Sequence, residues 1–161
     1  MGNDIKSLVD KYVRKYNTRN PFELAEKMNI EIQVGTPGCA GCYMYLKKHR
    51  YIFLDQNLDE HEMMQVMAHE LGHAIMHRNQ NCYFIRNKTL LSNSKTEKEA
   101  NIFAAELLIS NEDVLENANY TISQLSRLLG YEEKLIELKL NTFPTTSQRK
   151  IKAEKEINYG N

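Results

Sequence analysis

No run of about 18 apolar residues occurs in this chain, so a membrane-spanning helix is not expected. A dominant charge is missing too. Lys and Arg number 21 and Asp and Glu number 21, so no global field favours nucleic acid or an anionic membrane. Cysteine is scarce and odd in number: Cys39, Cys42 and Cys82. The N-terminal stretch Met1 to Asp10 is polar and lacks the charged start and apolar core of a secretion signal. Together these predict reduced thiols in the cytoplasm. Cys39-Ala40-Gly41-Cys42 has the C-x-x-C spacing of a metal or redox pair, but no second pair accompanies it, and Cys82 leaves a four-ligand site incomplete. Two thiols in a Gly-rich turn is the plainer reading. What is present is a soluble globular composition, 42% hydrophobic and 26% charged, in 161 residues that suit one domain with at most a small appendage.

One stretch stands out, His69-Glu70-Leu71-Gly72-His73, inside a helix expected from about Asp59 to His77. Four apart on a helix, the two imidazoles are offset by about 40° and about 6 Å of rise, so they leave one face and can share a small cation. Glu70 is rotated about 100° from His69 and lies beside that face. Two histidine ligands, with a carboxylate placed to take a proton from an attacking water, form the H-E-x-x-H arrangement of zinc hydrolases. Met63, Met64, Val66, Met67, Leu71, Ala74 and Ile75 make this helix amphipathic and mostly buried. A Glu and two His in such a helix cost free energy unless they are paired or bind metal. The bland alternative is two helix histidines with ordinary hydrogen-bond partners. His77, four after His73, stays near the ligand face and is expected to support a ligand or cap the helix end. The metzincin spacing is absent: Met76 and Asn79 stand where that pattern needs Gly and His.

The rest of the chain supplies a frame. Ile5, Leu8, Val9, Tyr12, Val13 and Tyr16 recur at helical spacing over Asp4 to Tyr16. Asn20-Pro21 opens a second helix to Met28, with Asn as cap and Pro at the first helical position, and Asn29 closes it. Glu31 to Val34 alternates as a strand, and Gly35-Thr36-Pro37-Gly38 turns. Cys42 to Leu46 and Tyr51 to Leu54 read as a hairpin linked by Lys47-Lys48-His49-Arg50, a solvated turn. Three short strands ahead of the motif helix predict a small antiparallel sheet. Asp59 with Glu62 can cap the motif helix. Arg78 to Asn93, with its apolar patch Tyr83-Phe84-Ile85, is a candidate lid or cleft wall. A buried helix is expected over Ser94 to Ile109. Glu97, Glu99 and Glu106 on it compete as third metal ligand. Glu99 and Glu106 lie within about 20° of each other on a helical wheel, while Glu97 has a simpler use as a cap residue.

The block His69-Glu70-Leu71-Gly72-His73-Ala74-Ile75-Met76-His77, followed by Glu99-Ala100-Asn101-Ile102-Phe103-Ala104-Ala105-Glu106-Leu107-Leu108, resembles the ImmA/IrrE metallopeptidases. Tyr51-Ile52-Phe53-Leu54 ahead of the motif helix fits that resemblance, which covers roughly residues 1 to 115. Ser110 departs from it, standing where the family often has Pro. The resemblance implies that Glu99, directly before Ala-Asn, is the third ligand. It also implies a gluzincin-like peptidase that cuts a repressor of the helix-turn-helix type and so switches on phage, mobile-element or stress genes.

The expectation is therefore an α+β protein. A small antiparallel three-stranded sheet packs on a mainly helical zincin-like core over residues 1–118, a helix-turn-helix-like extension spans 119–143, and a polar tail covers 144–161. His69, His73 and Glu99 would hold Zn²⁺ and Glu70 would act as general base. Tyr43, Tyr45, Tyr51, Tyr83 and His77 are open as oxyanion donors, with His77 and Tyr51 put forward as supporting residues. The expected partner is a repressor protein acting as substrate, met by a cytoplasmic monomer. Direct DNA binding is disfavoured because Glu132, Glu133 and Glu137 outnumber Lys134 and Lys139 on the second helix of the extension. The alternatives are a zinc-containing protein that sequesters the repressor without cutting it, or a toxin–antitoxin-type component.

Overall fold

The computed structural model describes residues 2–79 and 95–143. The chain divides into two compact units, Met1–Leu108 and Ile109–Asn161. The sequence puts the boundary after residue 118; the division falls earlier, at Leu108, so the short helix after Ser110 belongs to the second unit.

The first unit opens with α1 (Gly2–Tyr16), which buries Ile5 and Val9 and carries an i,i+4 ion pair between Lys6 and Asp10 at 2.8 Å. Asn20 caps α2 (Pro21–Lys27), its Oδ1 accepting from the backbone N–H groups of Phe22 at 2.9 Å and Glu23 at 3.4 Å. Pro21 sits in the first turn, where its missing N–H costs nothing. Just past α2, Asn29 at φ 53° turns the chain through the left-handed region into the sheet.

β1 (Ile30–Gly35), β2 (Gly41–Leu46) and β3 (His49–Asp55) form a sheet of order β1-β3-β2. β2 runs antiparallel to β3, with Tyr43 opposite Ile52. β1 runs parallel to β3, with Ile32 opposite Ile52. The α+β class is as expected, but the wholly antiparallel sheet is corrected to a mixed one. β3 inserts between its two predecessors because it carries the apolar pair Ile52 and Leu54, both fully buried. β1, with Glu31, Gln33 and Val34 exposed, suits an edge. The hairpin link is also tighter than the four residues expected. Lys47 at φ 49° and Lys48 at φ 68° make a two-residue turn with both central residues left-handed, the twist that matches flanking strands.

α3 (Glu60–Met76) and α4 (Lys95–Leu108) complete this unit. The far end of α4 is held by Arg19, whose Nη1 donates to the carbonyls of Glu106 at 3.0 Å and Leu107 at 3.2 Å. A cation there meets carbonyls that have no partner within the helix.

The second unit contains α5 (Asn111–Glu116), α6 (Ile122–Leu129) and α7 (Glu133–Thr142). Ser110 with Asp113 and Thr121 with Gln124 form capping boxes, and Gly130 at φ 75° ends α6. Ile109, Val114, Ile122, Leu125, Leu135, Ile136, Leu140 and Phe143 are its buried apolar residues among the described residues. Lys139 is buried as well, donating to Asn111 Oδ1 at 3.0 Å. The exposed charges at α7 are therefore Glu132, Glu133 and Glu137 against Lys134, the wrong balance for neutralising phosphates.

Cys82, the Tyr83-Phe84-Ile85 patch of the candidate lid, Ser94, and the tail with its expected helix over Ile151 to Ile157 lie outside the described residues. Among the described residues no helix is long and apolar enough to cross a membrane.

Left-handed conformations cost L-residues other than Gly roughly 1–2 kcal/mol each. Replacing Lys47-Lys48 by Asn-Gly is thus expected to stabilise the chain by about 1 kcal/mol, raising the thermal unfolding midpoint by about 2–4 °C. A midpoint that stays put or falls would mean the lysines make contacts that offset their backbone strain.

Candidate metal centre

α3 starts where expected. Asp59 Oδ1 accepts from the Glu62 N–H at 2.8 Å, and Glu62 Oε2 accepts from the Asp59 N–H at 3.1 Å. Its other end is pinned by Tyr43, a fully buried side chain whose O–H donates to the Arg78 carbonyl at 2.8 Å. Two glycines then bring neighbours close. A Cβ on Gly72 would lie 3.2 Å from Ala100 Cα and 3.2 Å from Phe103 Cβ, so α4 rests almost directly on the α3 backbone. A Cβ on Gly41, at the head of β2, would collide with Val66 Cγ1 and lie 3.3 Å from Glu70 Cγ. Glycine in a helix interior is worth about 1 kcal/mol less than alanine. At Gly72 the close helix contact requires it all the same. Glu70 and His73 end up with no exposure to solvent.

Across this contact α3 and α4 run antiparallel, since His69 faces Asn101 and His73 faces Glu97. His69 Nε2 lies 3.3 Å from Glu97 Oε2, and His73 Nε2 lies 3.2 Å from Glu97 Oε1. The two Nε2 atoms are 3.1 Å apart, with the rings nearly perpendicular at 75°. A tetrahedral ion with ligands at about 2.0–2.1 Å separates neighbouring ligand atoms by roughly 3.3–3.4 Å. The three distances, which use both oxygens of Glu97, are close to that spacing, and the set suits a divalent cation of the kind that takes imidazole and carboxylate. The chemistry of the set agrees, because lone pairs converging at such distances repel unless a cation or shared protons lie among them. With no cation present, the imidazoles of His69 first, and His73 next, hold the Glu97 carboxyl far below the usual carboxylate range, against the opposing effect of burial. Glu97 is accordingly an anion at neutral pH.

Of the expected site residues, the structure brings the imidazoles of His69 and His73 together, and it buries Glu70, whose Cγ lies against Gly41 at the head of β2. It does not bring Glu99 to the imidazoles. Glu99 Oε2 instead lies 3.4 Å from His77 Nε2, and its other oxygen is 3.7 Å from Lys95. The correction to Glu97 has a simple geometric cause. Glu97 and Asn101 differ by about 40° on α4 and share the face turned to α3, whereas Glu99 is rotated about 160° from Glu97 and Glu106 about 180°. Glu97 looked like a cap residue because Ser94 precedes it by three. The pointer in the sequence was the stripe Glu97, Asn101, Ala104, which heads the small-residue face of α4.

His77 is the C-cap of α3, its ring 5.6 Å from that of His73. Burial, aided by His73 and opposed by Glu99, lowers its pKa below the usual imidazole value. Tyr51 is not brought to the centre. It lies on the sheet face opposite Ile52 and Leu54, stacked with Phe53 at 6.3 Å. Tyr43 uses its hydroxyl on Arg78, Tyr45 lies beneath the Arg78 guanidinium at 5.2 Å, and Tyr83 is outside the described residues.

Comparison with known proteins gives three findings. The family described as the IrrE N-terminal-like domain matches residues 25–141. A protein of Bacillus phage phi105 named "Uncharacterized immunity region protein 2" is 37% identical, covering 84% of this chain and 88% of the relative. A protein of Bacillus subtilis (strain 168) named "Metallopeptidase ImmA" is 28% identical, covering 72% of this chain and 69% of the relative.

The contact at Gly72 makes its own prediction. Gly72→Ala gains helix propensity, but its methyl meets the backbone of Ala100, which cannot rotate away. The net effect expected is a loss of about 1–2 kcal/mol from overpacking, with affinity for a divalent metal reduced as Glu97 is displaced. Thermal unfolding in chelator and a metal titration would measure the two effects. A variant as stable and as avid as the parent would show that the helices separate without cost.

Proposed function

The chain belongs to the ImmA/IrrE family of metallopeptidases, and from that premise we propose that it is a zinc-dependent regulatory endopeptidase. Its substrate is a helix-turn-helix repressor, whose cutting releases genes of a phage, a mobile element or a stress response. The observation that carries this reading is the convergence of His69 Nε2, His73 Nε2 and the Glu97 carboxylate within 3.1–3.3 Å, beside a fully buried Glu70. The names of the relatives, one an immunity-region protein and one a metallopeptidase, support a regulatory setting and a hydrolytic chemistry.

In this reading His69, His73 and Glu97 would hold the ion. Zinc would supply Lewis acidity to the scissile carbonyl and to a water molecule. Glu70 takes the proton of the attacking water and returns it to the departing amine, which needs one carboxylate able to act in both directions. Burial at the head of β2 keeps that carboxylate in one place relative to the two imidazoles. Zinc fits better than non-haem iron, which two His and one carboxylate also suit, because a glutamate next to the first ligand has a direct hydrolytic use.

Two experiments test this proposal. Glu97→Gln should lose bound zinc measured by atomic absorption, whereas Glu99→Gln should retain close to one equivalent; the reverse pattern would restore Glu99 as third ligand. Glu70→Gln should keep zinc and lose about 10²–10⁴-fold in cleavage of a helix-turn-helix repressor. A chelator-sensitive fragment of that repressor, absent with Glu70→Gln, is the expected gel result. An intact repressor held in a stable complex would replace the peptidase reading by sequestration.

A further inference from the structure

The two histidines of the centre are held differently. Nδ1 of His69 lies 2.8 Å from Oδ1 of Asn101 on α4, whereas the buried Nδ1 of His73 has no hydrogen-bond partner among the described residues. A neutral imidazole carries its proton on one nitrogen and offers the lone pair of the other. An amide carbonyl oxygen accepts but does not donate, so Asn101 Oδ1 holds the His69 proton on Nδ1. Nε2 is then the lone pair, and it is this atom that faces His73 Nε2 at 3.1 Å and Glu97 at 3.3 Å. Without the amide, the ring could rotate about χ2 or carry its proton on Nε2, and either would close the position to a cation.

We infer that Asn101 is the positioning residue of the metal centre, setting both the tautomer and the ring orientation of His69. The inference rests on the metal-centre reading given above. α4 makes the arrangement economical. Glu97 and Asn101 are four apart on the face that meets α3, and Ala100 between them packs on Gly72. One helical turn thereby delivers an anionic donor to both imidazoles and an orienting acceptor to one. Asn101 also does this without charge. With Glu97 and Glu70 as the carboxylates present, a dication is already balanced; a third carboxylate would leave the centre net negative and weaken the ion as a Lewis acid.

The test uses the full chain with zinc, and variants Asn101→Leu, which keeps volume but has no acceptor, and Asn101→Asp, which keeps the acceptor. Three quantities are read: zinc affinity by competition with a chromogenic chelator, the unfolding midpoint of the metal-free chain, and the protonated nitrogen of His69 by long-range ¹H–¹⁵N NMR. Asn101→Leu is expected to bind zinc about 10–100-fold more weakly, with the metal-free midpoint unmoved. Asn101→Asp is expected to bind at least as tightly as the parent. In the zinc-loaded parent the His69 proton should reside on Nδ1. Parental affinity in Asn101→Leu, or a His69 proton on Nε2 in the parent, overturns the inference. So does equal loss of affinity in both variants, which assigns the residue to packing. A parent that binds no zinc removes the metal centre itself, an outcome distinct from the others.

Discussion

The closeness of α3 and α4 at Gly72 is the constraint on which the rest of the first unit depends. Metal-ligand geometry is unforgiving: donor atoms must converge to within a few tenths of an ångström, and side chains as short as Glu and His reach only so far. With α4 lying against the α3 backbone at 3.2 Å from a notional Cβ, Glu97 spans to two imidazoles at once. The same contact brings Ala100 and Phe103 over Gly72, so the packing that stabilises the pair and the spacing that sets the centre are one feature. On its other side α3 is pressed by β2 at Gly41, which holds the Glu70 carboxylate in the interior next to His69 in sequence.

That interior placement is costly in the absence of a cation. Glu70, His73 and Glu97 are all removed from most or all solvent, and the polar atoms of His69, His73 and Glu97 face one another. Burying such groups disfavours the folded state by several kcal/mol unless partners compensate. An ordinary structural role would have been met more cheaply by apolar residues, as at the neighbouring Leu71, Ala74 and Ala104. A cluster of acceptors at tetrahedral spacing is what a divalent ion requires, and the depressed pKa of the Glu97 carboxyl keeps one of them anionic.

His77 and Glu99 repeat the pairing one turn further along, at the edge of the centre. Their 3.4 Å approach sets an imidazole beside a carboxylate where α3 ends, with Lys95 next to Glu99, and His77 Nε2 makes no hydrogen bond among the described residues. The second unit is built on different terms. Capping boxes and a left-handed glycine delimit its short helices, and Lys139 is drawn inside it, so that lysine does not offset the glutamates of α7 at the surface.

Much of this was legible from residue order alone. Capping chemistry at Asn20 and Asp59 marks helix starts because each depends on residues two or three positions away. The pairing of His69 with His73, and the place of Glu70, follow from helical phase within one element. Tertiary packing alone decided the rest. Alternation along β1 says that one face is buried but not which strand it pairs with, so the parallel register with β3 was hidden. Tyr51 lies on the far sheet face for the same reason, since strand phase is known only once one face is assigned to the core. Glu97 was chosen over Glu99 by the rotation of α4 against α3, and that rotation is set where Ala100 and Phe103 settle on Gly72. Phase within a helix is a local property; phase between two helices is settled by the side chains that meet.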